Sequence, residues 1–469
     1  MKRKFKSDTL RRLRIFNFWQ GNNKDRFLLF GIIAGIYLLI KVFEEFVPSE
    51  YLVKLPSDVS LTLLGAIITI MVMHSIYMFF AQYHRRRNPR EILEEYKPCV
   101  DIFISAHNEE KVIGSTLEEL LKLDYPDLKI YAINDRSKDS TSERMQAVAD
   151  ISDGRIIVIN RAESAFPGKS AALNDALKAS DGEIICVLDA DARIGVDFLN
   201  NMVKPFGDPL VGAVQSQKVI SNPEVNLLTK CQFHEYAMDT YLQMGRDSIR
   251  GAVELRGNGQ LVRRDALEDI GGWNEETLTD DLDLSTCLHV NGWDIRFSPE
   301  NKVFEEGVPT VEGFMRQRRR WAEGSMRRYL NYFLQLMKPG NLSLVQIFDT
   351  FVFLCEFSIP LWLGLDLIYE VIRLASGRET YFSFLMLLSL GMSGIIFAAQ
   401  FNGLRIYKQQ GLWEALYNTI ITNAYLMTTW TTVILITYRK ILFSRTVGTW
   451  TRTEHGSQVE ERRENEALF

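Results

Sequence analysis

The chain has 469 residues and a net charge of −5, with 54 Lys and Arg against 59 Asp and Glu. That length suits one large domain with membrane segments, or two or three domains. The near balance of charge excludes the basic domain of a general nucleic-acid binder.

The first sixteen residues, MKRKFKSDTLRRLRIF, are basic. They read either as a segment beside an anionic membrane surface or as a solvated basic tail. Two apolar runs follow, Phe27 to Val47 and Val59 to Ala81. Each is long enough to span a bilayer, which takes about 20 residues. A short acidic loop, PSEYLVKLPSD, joins them, and HRRRNPR follows the second. Basic residues on both outer ends place both in the cytoplasm. No small-residue cleavage site follows the first run, so a cleaved signal peptide is not expected. Residues 1–95 thus read as a basic N-terminus and two transmembrane helices.

From Tyr96 to Gly340 the pattern becomes α/β. CVDIFISA, KIYAIND, RIIVINR and EIICVLDAD are short apolar strands, each followed by a helical stretch. Such alternation predicts a parallel-dominated sheet with helices on both faces. Ligands of such sheets bind at the carboxyl ends of the strands.

Apolar runs return at Val345–Ile372, Tyr381–Gln400 and Ala415–Tyr438. Three crossings would leave the tail outside, yet it opens with Arg439, Lys440 and Arg445. Either one run is interfacial or re-entrant, or a further crossing exists. Residues 341–440 are therefore a C-terminal membrane region and 441–469 a cytosolic tail. The first of these runs carries Asp349, Glu356 and Asp366. Acids in a membrane segment line a polar pathway or a bundle interior; an amphipathic helix lying in the interface is the other reading. The five cysteines, Cys99, Cys186, Cys231, Cys287 and Cys355, have neither zinc nor CxxC spacing and read as reduced thiols.

The chemistry-bearing residues are acids at strand ends: Asp135 after KIYAIN, then Asp189 and Asp191 after EIICVL. Asp-x-Asp can give two carboxylates to one hard divalent cation shared with substrate phosphates; taken alone it equally describes two surface acids. Downstream, TLTDDLDLS contains Asp281, and 35 residues separate Asp281 from Gln317 in FMRQRRRWAEG. This ordered set resembles the signature of membrane-bound family 2 glycosyltransferases of GT-A fold: separated aspartates, then Q-x-x-R-W. PGKSAALN, Pro167 to Asn174, matches the same pattern. The resemblance covers Pro98 to Tyr329.

The resemblance implies roles. Asp135, with the backbone of Ser105 to Glu109, would hold the uridine of a UDP-sugar donor, and Lys169 would sit near its phosphates. Asp189 and Asp191 would take the diphosphate and Mg²⁺ (or Mn²⁺). Asp281 would be the general base, and Gln317, Arg320 and Trp321 would close over the diphosphate and acceptor. The motif carrying Asp281 reads Thr279-Asp280-Asp281 where the family has a central Glu, so Asp280 and Asp283 compete for the base role. Arg316 and Arg318 to Arg320 read as a basic face touching lipid headgroups, with Arg320 turned inward. His107 reads as pocket wall, and His234 and His289 as structural. Trp273 belongs either to the acceptor side or to the core. GTWTRTEH, with Trp450, Arg452 and Thr453, resembles the gating loop of membrane synthases.

The stretch from Glu254 to Ser285 is similar to that of the cyanobacterial β-monoglucosyldiacylglycerol synthases. This implies glucosyl transfer from UDP-glucose to 1,2-diacylglycerol in glycolipid synthesis. A processive polysaccharide synthase of the hyaluronan, chitin or poly-N-acetylglucosamine type is the alternative, and an inactive scaffold is a third reading. The expected partners are thus a UDP-sugar donor, a lipid acceptor or growing glycan, and the membrane. The expected location is an integral, multi-pass membrane protein with its catalytic domain in the cytoplasm.

Overall fold

The computed structural model describes residues 73–85, 96–336, 342–350 and 384–443, with a few positions between 350 and 378. The expected span Phe27–Val47 and the GTWTRTEH loop lie outside the described residues, as do Cys355, Glu356 and Asp366.

The first half alternates as its sequence requires. Strand β1 (Val100–Ala106) leads to α1 (Ile113–Leu120), β2 (Leu128–Asn134) to α2 (Thr141–Asp150), β3 (Ile156–Asn160) to α3 (Lys169–Ala179), and then β4 (Ile184–Leu188) follows. These strands pair in parallel in the order β3-β2-β1-β4. β1 and β4 are buried on both faces, which is why they read as unbroken apolar runs. Side chains alternate between the faces. Ile102 and Ile104 enter one core with Ile113, Leu117 and Met145. Phe103 enters the other with Ala172, Leu173 and Trp273. Asp101, the second residue of β1, is fully buried and accepts the Gly182 N–H at 2.6 Å.

The second half turns the sheet mixed. After the short β5 (Arg193–Ile194) and α4 (Phe198–Met202) come β6 (Val211–Ile220), α5 (Leu227–Ile249), β7 (Gln260–Arg263), α6 (Arg264–Ile270), α7 (Asp280–Val290) and β8 (Asp294–Glu305). β7 is antiparallel to both β4 and β6, β8 runs parallel to β6, and β5 is antiparallel to β8. The alternating apolar runs had announced only the four parallel strands. β7 has four residues, and β8 carries charged residues along half its length, so neither shows a clean strand pattern. α5 opens with a capping box: the Asn226 side chain accepts the Thr229 N–H at 3.0 Å, and Thr229 Oγ1 accepts the Asn226 N–H at 3.1 Å.

The long helices α8 (Val311–Leu336), α9 (Phe384–Tyr407) and α10 (Leu412–Phe443) follow. Among the described residues, one helix, Leu412–Phe443, is long and apolar enough to cross a membrane. α9 and α10 contain the expected runs Tyr381–Gln400 (from Phe384 on) and Ala415–Tyr438, and extend beyond them at the Arg405 and Leu412 ends. α9 lies close on α5, where a Cβ at Gly403 would stand 2.5 Å from the Ala237 carbonyl oxygen. α10 packs along α8 through Ala322, Met326, Val433, Ile434 and Tyr438.

Asp349 faces the packed interior, one of the placements expected for acids in this run: its side chain is buried, ion-paired to Arg246 Nε of α5 at 3.3 Å, and accepts the Ala252 N–H at 2.9 Å. The start of the Val345–Ile372 run is thus docked on the α/β domain. Trp273 is core: it is 1% exposed, packs on Phe103 at 6.3 Å between ring centroids, and its backbone is clamped by the Asn174 amide. Trp273→Ala should therefore cost about 3–5 kcal/mol, checked as a lowered thermal unfolding midpoint of the detergent-solubilised protein.

Candidate active site

The strand order places a switch point between β1 and β4, because the chain moves outward from β1 in one direction and then returns to its other side. Asp135 follows β2, its N–H bonded to the Ala106 carbonyl at 2.8 Å, and Asp189 and Asp191 follow β4. One cavity of about 480 Å³ opens there. Asp135, Lys169, Asp189, Asp191, Asp281, Gln317, Arg320 and Trp321 all line it, as does His107. Residues spread over nearly 190 positions of sequence are thus brought to one wall-to-wall space.

Asp135 is held from three sides. Arg161 Nη1 donates to it at 2.6 Å, Arg136 Nε at 2.9 Å and the Gly168 N–H at 3.1 Å. Burial works to raise its pKa, but these hydrogen bonds and the Arg161 charge outweigh it and hold the carboxyl below the usual range. Lys169, the first residue of α3, reaches Asp189 at 2.5 Å. Burial opposes its charge, yet Asp189 and Asp280 raise its pKa, so it is firmly cationic.

Asp280, Asp281 and Asp283 fill the first turn of α7, where the helix dipole favours anions. Asp280 and Asp281 line the cavity. Asp283 is not among the lining residues: it is buried against Tyr332, whose hydroxyl donates to it at 3.3 Å. Asp281 Oδ1 accepts the Leu282 N–H at 2.9 Å. Desolvation, then the charge of Asp280, push its pKa up to about 6, against Lys218 and Arg256. Close approach fixes two glycines here. Gly257 has φ +78°, and a Cβ on it would sit 3.3 Å from Asp281 Oδ2; Gly324 of α8 leaves no room for a Cβ against the Thr279 side chain.

α8 presents Gln317, Arg320 and Trp321 to the cavity. Burial pulls the Arg320 guanidinium below its ordinary pKa, while Asp280, Asp281 and Asp189 push back. The expected basic face is split. Arg316 and Arg319 are exposed, but Arg318 is 1% exposed, with its Nη2 2.7 Å from Glu235 of α5. A helix turns 100° per residue, so the three consecutive arginines Arg318 to Arg320 cannot share one face.

The same cavity is also lined by apolar residues, Phe357, Ile396, Leu426, Met427, Trp430 and Ile434. Lys218 and Glu305 also line the cavity, without a signal in the sequence, and Arg256 lines it too. Lys218 of β6 sits 2.9 Å from Glu305 of β8, which also accepts from the Tyr236 hydroxyl at 2.6 Å. Arg256 is pinned by Asp239 at 2.7 Å and Glu254 at 2.9 Å. Recognising β8 as a strand would have flagged Glu305 as a strand-end acid, like Asp135. His289 and His234 are buried and structural: His289 Nε2 lies 2.7 Å from the Val253 carbonyl, and His234 Nδ1 lies 3.2 Å from Thr422.

Residues 98–324 match the family described as glycosyltransferase like family 2. A β-monoglucosyldiacylglycerol synthase of Trichormus variabilis is 36% identical over 405 residues, covering 84% of each chain. A poly-β-1,6-N-acetyl-D-glucosamine synthase of Staphylococcus epidermidis is 30% identical over 279 residues, covering 58% of this chain and 66% of that one. Among solved structures, the mannosyltransferase PcManGT of Pyrobaculum calidifontis, in complex with GDP-Man and Mn²⁺, shares the GT-A-like fold with a TM-score of 0.53 at 19% identity. The match covers 82% of this chain and all of that one. Strand-end acids, a mixed but mostly parallel sheet and long similarity to such enzymes converge: the chain belongs to glycosyltransferase family 2.

Proposed function

We propose that this enzyme is an inverting β-glycosyltransferase that moves a hexose, glucose, from UDP-glucose to 1,2-diacylglycerol at the cytoplasmic face of a membrane. The observation that carries this reading is that one cavity is lined both by Asp281 with the other charged residues and by apolar side chains of α10 such as Leu426 and Ile434. A diacylglycerol offers one hydroxyl on an apolar body, which matches that mixed lining. The 36% identity to a diacylglycerol-glucosylating relative, against 30% to a polysaccharide synthase, favours the same acceptor.

In this reading Asp135, rigid and ionised, holds the uridine. Lys169 and Arg320 stabilise the charge that develops on the leaving diphosphate, where fixed cations in a water-poor site act most strongly. Gln317 and Trp321 close over donor and acceptor. Asp281 takes the acceptor hydroxyl proton as the oxygen attacks the anomeric carbon. A base with pKa near 6 is ionised at neutral pH yet still basic enough to accept that proton. Asp189 and Asp191 suit a divalent cation. Among the described residues no group of three or more acids, histidines or cysteines forms a protein cage, and Mg²⁺ or Mn²⁺ shared with phosphates takes only one or two carboxylates. When bound, the cation would neutralise charge on the diphosphate.

α10 supports membrane contact. Trp413, Tyr417, Ile420 and Leu435 are exposed along it at helical spacing, an apolar stripe of the kind that marks an interaction surface. We read this helix, α9 and the N-terminal apolar runs as a multi-pass membrane anchor flanking the catalytic domain.

Asp281→Asn should lower UDP release by about 10²–10⁴-fold, while Asp283→Asn, outside the cavity, should keep turnover within tenfold of wild type; the reverse order would reassign the base. kcat/KM should rise with pH through about 6 as Asp281 ionises. Asp280→Asn should move that limb to lower pH, because a like charge beside Asp281 is gone; a pH–rate profile in detergent checks both. Membranes given radiolabelled UDP-glucose, Mg²⁺ and diacylglycerol should place label in a single monoglucosyl lipid. Label in high-mass polymer would favour a processive synthase instead.

A further inference from the structure

A single buried carboxylate, Glu235 on α5, collects donors from two other elements. Arg318 Nη2 of α8 reaches it at 2.7 Å, the Tyr425 hydroxyl of α10 at 2.9 Å and Trp430 Nε1 of α10 at 3.2 Å. The Arg318 guanidinium in turn lies 4.2 Å from the centroid of the Trp321 ring and 4.8 Å from that of Phe314. Trp321 is thus backed by Arg318 on one side, with Lys218 at 5.9 Å from its centroid. Replacing a buried ion pair by well-packed apolar groups is often neutral or stabilising, so stability is a poor account of this one. What such a pair does well is fix relative position, because its charge-assisted hydrogen bonds tolerate little displacement.

We propose that Glu235 and Arg318 form a positioning strut that sets the Trp321 ring from the apolar helix α10, so that closure over the reacting groups depends on how α10 is seated. Neither residue need touch substrate for this. A shift of the α10 segment carrying Tyr425 and Trp430 moves Glu235's partners. Arg318 follows Glu235, and Trp321 follows Arg318. The membrane-facing helix and the reaction chamber are then mechanically one unit. The proposal rests on the reading of Trp321 as a closing residue of the transfer site.

The test uses full-length protein in lipid nanodiscs, with kcat and KM taken from total UDP release, whatever acceptor receives the sugar. Glu235→Gln alone strands a buried cation, so the informative variants are the neutral pair Glu235→Gln/Arg318→Met and the hydrogen-bond pair Tyr425→Phe/Trp430→Phe. Both should unfold at temperatures close to wild type. The neutral pair should lose about a hundredfold in kcat, the scale of a misplaced closing group, with donor KM changed less than threefold. Arg318→Lys, which restores the charge, should recover part of that loss. A kcat per folded molecule equal to wild type in both variants would overturn the strut, as would losses that merely track lost folded protein. A cryo-EM map of the neutral pair gives a second readout, independent of turnover: a displaced Trp321 ring supports the strut and an unmoved ring overturns it. Label found in polymer by the wild type would sink the lipid reading and leave these ratios to decide the strut.

Discussion

Asp135, Asp189, Asp191, Asp280 and Asp281 all face one cavity of about 480 Å³. Confining that much negative charge away from bulk water is costly unless cations and N–H donors are built in beside it. The architecture around the site is largely the answer to this requirement. Arg161 and the Gly168 N–H serve Asp135, and Lys169 serves Asp189. Lys218, Arg256 and Arg320 surround the α7 acids, near enough to act on their ionisation. Each of these cations comes from a different part of the chain, so the site exists only when the sheet, α3, β6 and α8 are all in place. Asp281 is the place where compensation is left incomplete, which is what the proposed base role asks of it.

The second theme is continuity between the α/β domain and the long apolar helices. α9 lies on α5 at Gly403, α10 lies along α8, and Asp349 is ion-paired to Arg246. Strand-end acids and the α10 residues Leu426, Met427 and Ile434 line the same cavity. The acceptor proposed above, with a polar head and an apolar body, suits such a lining. Glu235 sits at their junction, with partners on α8 and α10.

The parallel half of the fold was legible because strands buried on both faces leave continuous apolar runs in the sequence, and those runs end in the acids that matter. The mixed half was not. β8 is amphipathic and charged, and β7 has four residues, so the β6–β8 pairing that brings Lys218 and Glu305 into the cavity left no periodic trace. Nor could composition say which way each arginine of the QRRRW run points. Arg318 turned out buried and Arg319 exposed, because the helix face is chosen by what α5 and α10 offer. Trp273 shows the same limit: a tryptophan in a loop before the base suits either a sugar platform or a core, and packing on Phe103 made it core.

By itself, then, the sequence determined the chemistry available: the strand-end acids, the lysine at the start of α3, the Asp280–Asp283 acids and the Gln317–Trp321 motif. These are carried by local residue type and order, which survive without knowledge of contacts. Tertiary structure decided which of those acids face the cavity, which arginine is buried against Glu235 and which apolar side chains share the cavity with them. Those are properties of burial and of distances between residues far apart in the chain, and only the packed fold sets them.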